Sequence, residues 1–228
     1  MEDCRTGREI SEFLLRACHD LRTPARTVRT YSELIQRGAG SGSTEGVAQH
    51  LSFLMEGARK IDVILDGLAG YSLALQTDPG AFQKVRMDIQ WRAAMMKLAG
   101  ALRECGGEAT ADELPEVTGQ PERLLQLLEN LVRNSLVHRG EAAPRIHLNA
   151  VRQEAAWLFT LRDNGPGIEE ACLESIFLPF ERLRRDPQEG AGLGLTICRE
   201  IVERHGGKIR AEAADSGACF RFTLTALV

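Results

Sequence analysis

The sequence predicts an α+β protein in two parts, an N-terminal antiparallel helical hairpin and a C-terminal α/β sandwich. Two apolar runs in the first third repeat at alternating four- and three-residue steps, with a glycine- and serine-rich stretch between them. Short extended segments then alternate with helical ones to the end of the chain. A length of 228 residues also exceeds one typical domain. We therefore expect one domain over residues 1–77 and another over residues 78–228.

Composition excludes several classes of protein. A hydrophobic fraction of 43% is too high for wholesale disorder, and a formal net charge of −4 argues against a nucleic-acid binder. No apolar run approaches the roughly 20 residues that span a bilayer. The six cysteines are scattered, with no Cys-x-x-Cys pair, which is typical of reduced thiols. We expect a cytoplasmic location, without nucleic-acid or membrane contact by this segment.

Both apolar runs have the 3.5-residue average period of a coiled-coil seam. The first seam comprises Ile10, Leu14, Ala17, Leu21, Pro24, Val28, Tyr31 and Ile35. The second comprises Val47, Leu51, Leu54, Ala58, Ile61, Leu65, Leu68 and Leu75. The stretch 38–43 between them predicts a flexible turn. Pairing two hairpins into a four-helix bundle would bury both seams, which predicts a homodimer. The alternative is that the hairpin packs onto its own second domain.

His19 lies off the first seam. At 100° per residue it is about 200° from Ala17, so it faces solvent. Asp20 can accept a proton from one ring nitrogen, which leaves the other nitrogen nucleophilic. Thr23 lies one turn further along the same face, where its hydroxyl can orient a water. Pro24 removes a helical hydrogen bond and predicts a bend beside the histidine.

The remaining two-thirds predicts strands and helices in alternation. The helices are expected near 89–104, 120–138, 169–176 and 193–205. The extended segments are expected near 82–87, 108–112, 116–118, 145–152, 157–162, 208–213 and 219–226.

Three features of this second part indicate nucleotide chemistry. Gln126, Asn130 and Asn134 form a polar stripe on a leucine-rich helix, and amides can coordinate a hard cation or donate to phosphate. Amides that only cap neighbouring loops are the alternative. The segment 163–168, Asp-Asn-Gly-Pro-Gly-Ile, follows a strand, where a carboxylate can accept from the exocyclic amine of adenine. A simple turn is the alternative there. The segment 190–195, Gly-Ala-Gly-Leu-Gly-Leu, leads into a helix whose N-terminus favours phosphate.

The segment 19–24, His-Asp-Leu-Arg-Thr-Pro, resembles the phospho-acceptor box of the sensor histidine kinases of two-component systems. The three later segments, in this order, resemble the ATP-binding domain that histidine kinases share with type II topoisomerases, mismatch-repair ATPases and the large heat-shock chaperones, the GHKL or Bergerat type. Phe177 and Phe180 match the phenylalanine box that histidine kinases place before the ATP lid. The resemblance covers roughly residues 10–227.

The resemblance implies ATP and Mg²⁺ as ligands and His19 as the residue that is phosphorylated. Asp20 would be the general base, and Thr23 would serve mainly the reverse, dephosphorylating reaction. The residues implied to bind nucleotide are Asn130 (also the magnesium ligand), Asn134, Asp163, Gly165, Gly167, Phe180, Gly190, Gly192, Leu193 and Gly194. Candidates for γ-phosphate contact are Arg182, Arg184 and Arg185, a basic run that is otherwise a solvated surface.

The implied partners are a second copy of the chain and a response-regulator receiver domain that takes the phosphoryl group on an aspartate. We also expect an upstream sensor domain beyond this segment, or a separate sensor protein. Two positions depart from the family pattern, because Val137 and His138 stand where many members carry lysine and an aromatic residue. Two alternatives remain, a superfamily ATPase without phosphotransfer and a non-catalytic dimeric signalling scaffold.

Overall fold

A computed structural model describes residues 2–41, 46–182, 190–213 and 216–226 of the chain. The chain divides into two compact units, Met1–Ala69 and Gly70–Val228.

The first unit is an antiparallel helical hairpin. Helix α1 spans Glu2–Ser41, and helix α2 spans Val47–Leu75 and so continues into the second unit. The Tyr31 ring stacks on Phe53 at a centroid distance of 4.8 Å and lies 5.6 Å from the His50 ring. Seven residues earlier on α1, the Pro24 carbonyl oxygen would lie 3.1 Å from a Cβ at Gly57. Contacts that move down one helix as they move up the other establish the antiparallel arrangement.

The predicted turn at 38–43 is wrong in its first part, because residues 38–41 continue α1. Glycine in a helix interior costs about 1 kcal/mol relative to alanine, which weakens a helix but does not forbid it. A helix that is already formed adds one hydrogen bond for each further residue, without a new nucleation step. Residues 42 and 43 lie outside the described residues.

The face of α2 that meets α1 differs by one residue from the predicted seam. His50, Phe53 and Gly57 contact α1, and Ile64, one heptad after Gly57, is buried. The predicted seam residues Leu51 and Leu65, in contrast, remain 46% and 49% exposed. A hairpin by itself therefore leaves an apolar stripe of α2 uncovered.

The boundary between the compact units lies before the predicted one, because the end of α2 packs within the second unit. Ala74 and Thr77 are buried, and the Gly70 carbonyl accepts a hydrogen bond from the Gln126 side chain at 3.1 Å. The Thr77 hydroxyl donates to the Ala74 carbonyl at 2.7 Å, which ends the helix. The turn visible in the sequence marks the end of the helix but not the edge of the unit.

The second unit contains a mixed five-stranded sheet in the order β2-β4-β5-β7-β6, in which only the β2-β4 pair is parallel. A separate antiparallel pair joins β1 and β3. The strands are β1 Gln83–Arg86, β2 Glu108–Ala111, β3 Glu116–Gly119, β4 Arg145–Arg152, β5 Ala156–Asp163, β6 Ile209–Glu212 and β7 Cys219–Thr225. All seven predicted extended segments are present.

The second unit has three α-helices after α2: α3 Met87–Glu104, α4 Pro121–Val137 and α5 Gly194–Arg204. Helix α4 packs against both α3 and α5, and α3 and α5 contact the sheet. Four leucines of α4 are fully buried, as the apolar spacing of that helix requires: Leu124, Leu127, Leu128 and Leu131. In the sheet, Phe159 of β5 stacks on Phe222 of β7 at 4.9 Å. The hydrophobic core of the second unit therefore includes both the helix leucines and the sheet phenylalanines.

The predicted helix at 169–176 is replaced by two 3-10 turns, Glu170–Cys172 and Ser175–Phe177. The second turn ends where the Leu178 N–H donates to the Ser175 carbonyl at 2.8 Å. Pro179 follows and cannot donate, so an α-helix has no room to develop beyond its costly first turn.

Candidate active site

Asp163, the last residue of β5, accepts three hydrogen bonds. Its Oδ1 accepts from the backbone N–H groups of Gly165 at 2.9 Å and Ala218 at 2.8 Å. Its Oδ2 accepts from the hydroxyl of Ser135, on α4, at 2.6 Å. One carboxylate thus joins the loop after β5, the start of β7 and helix α4. This places the predicted adenine-binding residue at the meeting point of three elements.

The backbone around Asp163 is packed so closely that only glycine fits at two positions. Gly217 has φ +73°, and a Cβ there would lie 1.7 Å from the Asp163 carbonyl oxygen. Gly167 has φ +81°, and its Cβ would lie 3.1 Å from the Gly217 carbonyl oxygen. Both backbone angles are ones that other L-residues rarely adopt. Gly167 and Gly217 therefore allow the close packing around Asp163, and Gly165 donates its backbone N–H to that carboxylate.

Asn164, between Asp163 and Gly165, anchors the loop from outside. Its side-chain oxygen accepts from the Arg145 N–H at 2.7 Å, and its amide nitrogen donates to the Ala143 carbonyl at 3.0 Å. This asparagine has both halves of its amide satisfied and is a structural residue.

Asn130 and Asn134 lie one turn apart on α4, and both are partly buried. The Asn130 amide nitrogen is buried and has no hydrogen-bond partner among the residues that the structure describes. A buried, unsatisfied amide costs free energy unless a ligand completes it. Asn130 therefore fits a position that contacts phosphate or a metal-bound water.

Gln126 does not belong to this stripe. Its amide nitrogen donates to the Gly70 carbonyl, and its oxygen accepts from Arg123 at 2.7 Å. At Gln126 the structure therefore has the alternative arrangement, in which the amide bonds to neighbouring backbone.

Phe180 and Gly192 form the two ends of the predicted lid. The Phe180 N–H donates to the Gly192 carbonyl at 2.9 Å, and both residues have positive φ, +63° and +70°. Leu193 is buried directly before α5, whose first turn receives no side-chain cap. Gly194 begins the helix. The first N–H groups of α5 are thus not capped by a neighbouring side chain, as a phosphate-binding helix end requires.

Of the remaining predicted lid residues, the structure describes Gly190 and Arg182. Gly190 is exposed, with nothing among the described atoms within 4 Å of its hypothetical Cβ. Arg182 is exposed, while Arg184 and Arg185 lie outside the described residues. Phe177 packs into the core, edge-on to Phe220 at 6.5 Å and under the Arg199 guanidinium at 4.5 Å.

In the first unit, His19 is 80% exposed, and its Nδ1 lies 3.2 Å from Asp20 Oδ1. This geometry favours the tautomer in which Nδ1 carries the proton and Nε2 keeps its lone pair. Thr23 is exposed one turn later, and its carbonyl accepts from the Thr27 hydroxyl at 3.2 Å. His19, Asp20 and Thr23 are thus accessible along one stretch of α1.

Sequence reasoning missed Ser135, Gly217 and Ala218. Ser135 carries a polar side chain at a buried position of α4, directly after Asn134, and this was the available signal. Ala218 acts through its backbone N–H, which no side chain reveals. Gly217 is required because the two chain segments approach each other closely, and that approach is a property of the fold.

Residues 119–227 match the family described as histidine kinase-, DNA gyrase B-, and HSP90-like ATPase. The match covers most of the second unit, Gly70–Val228. This match indicates an ATP-binding domain.

Relatives align over nearly the whole chain and make it a homologue of the sensor histidine kinases. Cyanobacterial phytochrome A of Nostoc sp. strain PCC 7120 is 35% identical over 222 residues, which is 96% of this chain and 29% of the relative. The adaptive-response sensory kinase SasA of a Synechococcus strain is 32% identical over 220 residues, 90% of this chain and 56% of the relative. The chain thus spans less than a third of that phytochrome and just over half of that sensory kinase.

Solved structures agree with the fold. The catalytic domain of histidine kinase ThkA is 28% identical, covers 63% of this chain and 97% of that chain, and superimposes with a TM-score of 0.55. ThkA in complex with the response regulator protein TrrA is 21% identical, covers 98% of this chain and 64% of that chain, and gives a TM-score of 0.72. Within the described ranges, no helix is long and apolar enough to cross a membrane.

Proposed function

We propose that the chain is the catalytic core of a sensor histidine kinase that uses Mg-ATP to phosphorylate its own His19. The observation that carries the proposal is the exposed His19–Asp20 pair in a chain whose second unit is an ATP-binding domain. A plain ATPase of the same superfamily would have no use for that pair.

The nucleotide base would be recognised at Asp163. The carboxylate has lone pairs that accept from an exocyclic amine, and the glycine backbone beside it lets a planar base approach. The triphosphate would lie toward α4 and α5, where Asn134 and the uncapped first turn of α5 supply donors. Base and phosphates are thereby bound by different elements.

Asn130 would hold the magnesium ion through its amide oxygen. Mg²⁺ prefers oxygen ligands and usually keeps several waters, so one protein oxygen beside the phosphates suits it. When bound, the ion would neutralise charge that develops on the phosphate oxygens. The buried, unsatisfied Asn130 amide supports this assignment, because its nitrogen would find a partner in a phosphate oxygen or a metal-bound water.

His19 would act as nucleophile through Nε2. Asp20 accepts a hydrogen bond from the Nδ1–H group and so leaves the lone pair on Nε2. A bond forms between Nε2 and the γ-phosphorus while the bond to the β–γ bridging oxygen breaks, and ADP leaves. The imidazole becomes positively charged as it is phosphorylated, and Asp20 stabilises that charge and takes up the Nδ1 proton.

The phosphoryl group would then pass from His19 to an aspartate of a response-regulator receiver domain. A hydroxyl at Thr23, one turn from His19, is suited to orient a water for the reverse reaction. A sensor domain upstream or a separate sensor protein would supply the signal. We place this reaction in the cytoplasm, because the five cysteines with described side chains are free thiols, as in a reducing compartment.

Incubation with γ-labelled ATP tests the proposal. We expect label on the protein that is stable in base and lost in acid, and no such label on His19→Gln, which keeps a polar side chain of similar size. Both proteins should bind ATP equally, because the hairpin histidine and the nucleotide site belong to different units. Release of free phosphate without labelled protein would indicate an ATPase. The absence of both labelled protein and free phosphate would indicate a non-catalytic scaffold. Acid-labile label on His19→Gln would mean that a different residue is phosphorylated, and His50 would be the next candidate.

The magnesium assignment is tested with Asn130→Ala. We expect labelling to fall to the level reached by chelating magnesium in the unsubstituted chain. The melting temperature without nucleotide should change little, because the amide has no protein partner to lose among the described residues. A large fall in that melting temperature would assign Asn130 a structural role.

A further inference from the structure

Ser135 is the one polar side chain of α4 that is almost fully buried among the described residues, with 3% of its surface exposed. It does not bond back to its own helix in the described contacts, but donates across to Asp163 Oδ2 at 2.6 Å. The short distance is typical of a hydroxyl that donates to a carboxylate. The serine therefore restrains one carboxylate oxygen from the α4 side.

The hydrogen bonds on Asp163 leave little free capacity. A carboxylate offers about four lone-pair sites, two on each oxygen. Both sites of Oδ1 are used by the backbone N–H groups of Gly165 and Ala218. One site of Oδ2 is used by Ser135, so a single acceptor site remains, and it is on Oδ2.

We propose that Ser135 is a positioning residue that sets the base specificity of the ATP site through Asp163. A single acceptor site suits the single exocyclic amine of adenine. Guanine offers two adjacent donors, its N1–H and its 2-amine, and needs one free site on each carboxylate oxygen. The backbone donors block the first oxygen, and Ser135 holds the second in one orientation. This inference rests on the proposed binding of ATP and goes beyond it in assigning the discrimination.

A purely structural role for Ser135, joining α4 to the end of β5, makes a different prediction. Loss of a structural tie would weaken every ligand of the site by a similar factor. Loss of a positioning contact weakens only ligands that use the oxygen it positions. An ATP analogue without the exocyclic amine separates the two, and purine riboside 5′-triphosphate has this property.

The experiment is calorimetry on the full chain, with ATP, purine riboside 5′-triphosphate and GTP as ligands. We expect Ser135→Ala to weaken ATP by about three- to tenfold, the range of one ordinary hydrogen bond. The affinity for the purine analogue should change by less than twofold, and the preference for ATP over GTP should fall. Ser135→Cys keeps nearly the same volume with a much weaker donor, and should behave like Ser135→Ala.

Several results would overturn the inference. Equal weakening of ATP and of the purine analogue in both variants would make Ser135 structural. Unchanged ATP affinity in both variants would mean that Asp163 needs no positioning from α4. If Ser135→Ala fails to fold, the cysteine variant gives the same comparison. Failure of the unsubstituted chain to bind ATP is seen first and would overturn the proposed function itself, and this inference with it.

Discussion

Phe180 and Gly192 are joined by a backbone hydrogen bond, and both have positive φ. The Phe180 N–H donates to the Gly192 carbonyl at 2.9 Å, and a Cβ at Gly192 would lie 3.0 Å from the Phe180 Cα. Phe180 has φ +63°, a left-handed conformation that costs a non-glycine residue roughly 1 kcal/mol or more. The pair joins the segment before the lid to the start of α5.

Gly192→Ala should therefore weaken both stability and ATP binding. Positive φ and the close approach to Phe180 together predict a loss of about 1–2 kcal/mol, which is a few degrees in melting temperature for a chain of this size. Gly190→Ala is the matched control, because nothing described lies within 4 Å of its hypothetical Cβ and its φ is not positive. Melting curves with and without ATP measure both effects. Equal effects of the two substitutions would contradict the argument.

The sequence predicted most elements of the fold because their signals are local. The apolar spacing of α4 and the predicted start and end of α2, residues 47 and 75, needed no tertiary information. Candidate site residues can be proposed from the sequence where a side chain would carry the chemistry, as at Asp163, which the structure places at the junction of β5, α4 and the residue before β7. Ser135 and Gly217 were not predicted, because their roles arise from contacts between segments far apart in the chain. The 3-10 turns near residue 172 were predicted as one α-helix, because short apolar runs do not specify the helix type.

The exposed stripe on α2 predicts self-association through the hairpin. Leu51 and Leu65 remain exposed in a single hairpin, and burying them against a second copy would stabilise a dimer. We expect sedimentation at micromolar concentration to show about twice the 25.1 kDa mass of one chain. Leu51→Asp combined with Leu65→Asp should shift the species toward monomer.

Val63→Asp is the control for the dimer prediction. The side chain of Val63 is 42% exposed, a fraction close to those of Leu51 and Leu65. It lies, however, on the opposite side of α2 from the predicted seam. It should leave the sedimentation profile unchanged. A monomer in the unsubstituted chain, or equal dissociation by Val63→Asp, would contradict association through this stripe.

His205, at the end of α5, predicts a loss of stability in mild acid. Its ring is buried against Phe82, its Nδ1 donates to the Ile201 carbonyl at 2.7 Å, and its Nε2 accepts from the Gln120 N–H at 3.0 Å. Burial lowers the pKa of His205, although the Ile201 carbonyl opposes the shift. A protonated Nε2 would also meet the Gln120 N–H as a second donor.

A histidine with a lowered pKa contributes stability that is fully present above its unfolded pKa, near 6.5, and is lost as the pH falls toward the folded value. We expect the urea midpoint to fall between pH 7 and pH 5. In His205→Gln, which has no proton to gain there, the fall should be smaller, although the midpoint at pH 7 is lower. Parallel pH profiles for the two proteins would show that His205 does not control this transition.

Val137 stands where many family members carry a lysine, a residue that would lie close to the phosphates in the proposed site. Val137 is exposed in the last turn of α4, so a longer side chain meets little resistance. Arg139 would be a substitute cation, but it already donates to the Leu136 carbonyl at 2.8 Å. We expect Val137→Lys to tighten Mg-ATP by several-fold or more, since a hydrogen bond to a charged group contributes roughly 1.5–3 kcal/mol.

The charge should act on the phosphates and not on the base, so the gain for ATP should exceed the gain for adenosine. Val137→Gln is the control, because it adds length and a donor without a charge. Calorimetry on the three proteins with both ligands gives the comparison. The new ammonium is exposed and therefore screened by salt, so the gain for ATP should shrink between low and high ionic strength. Equal gains for ATP and adenosine, or a glutamine variant that matches the lysine, would mean that the residue at this position does not interact with phosphate.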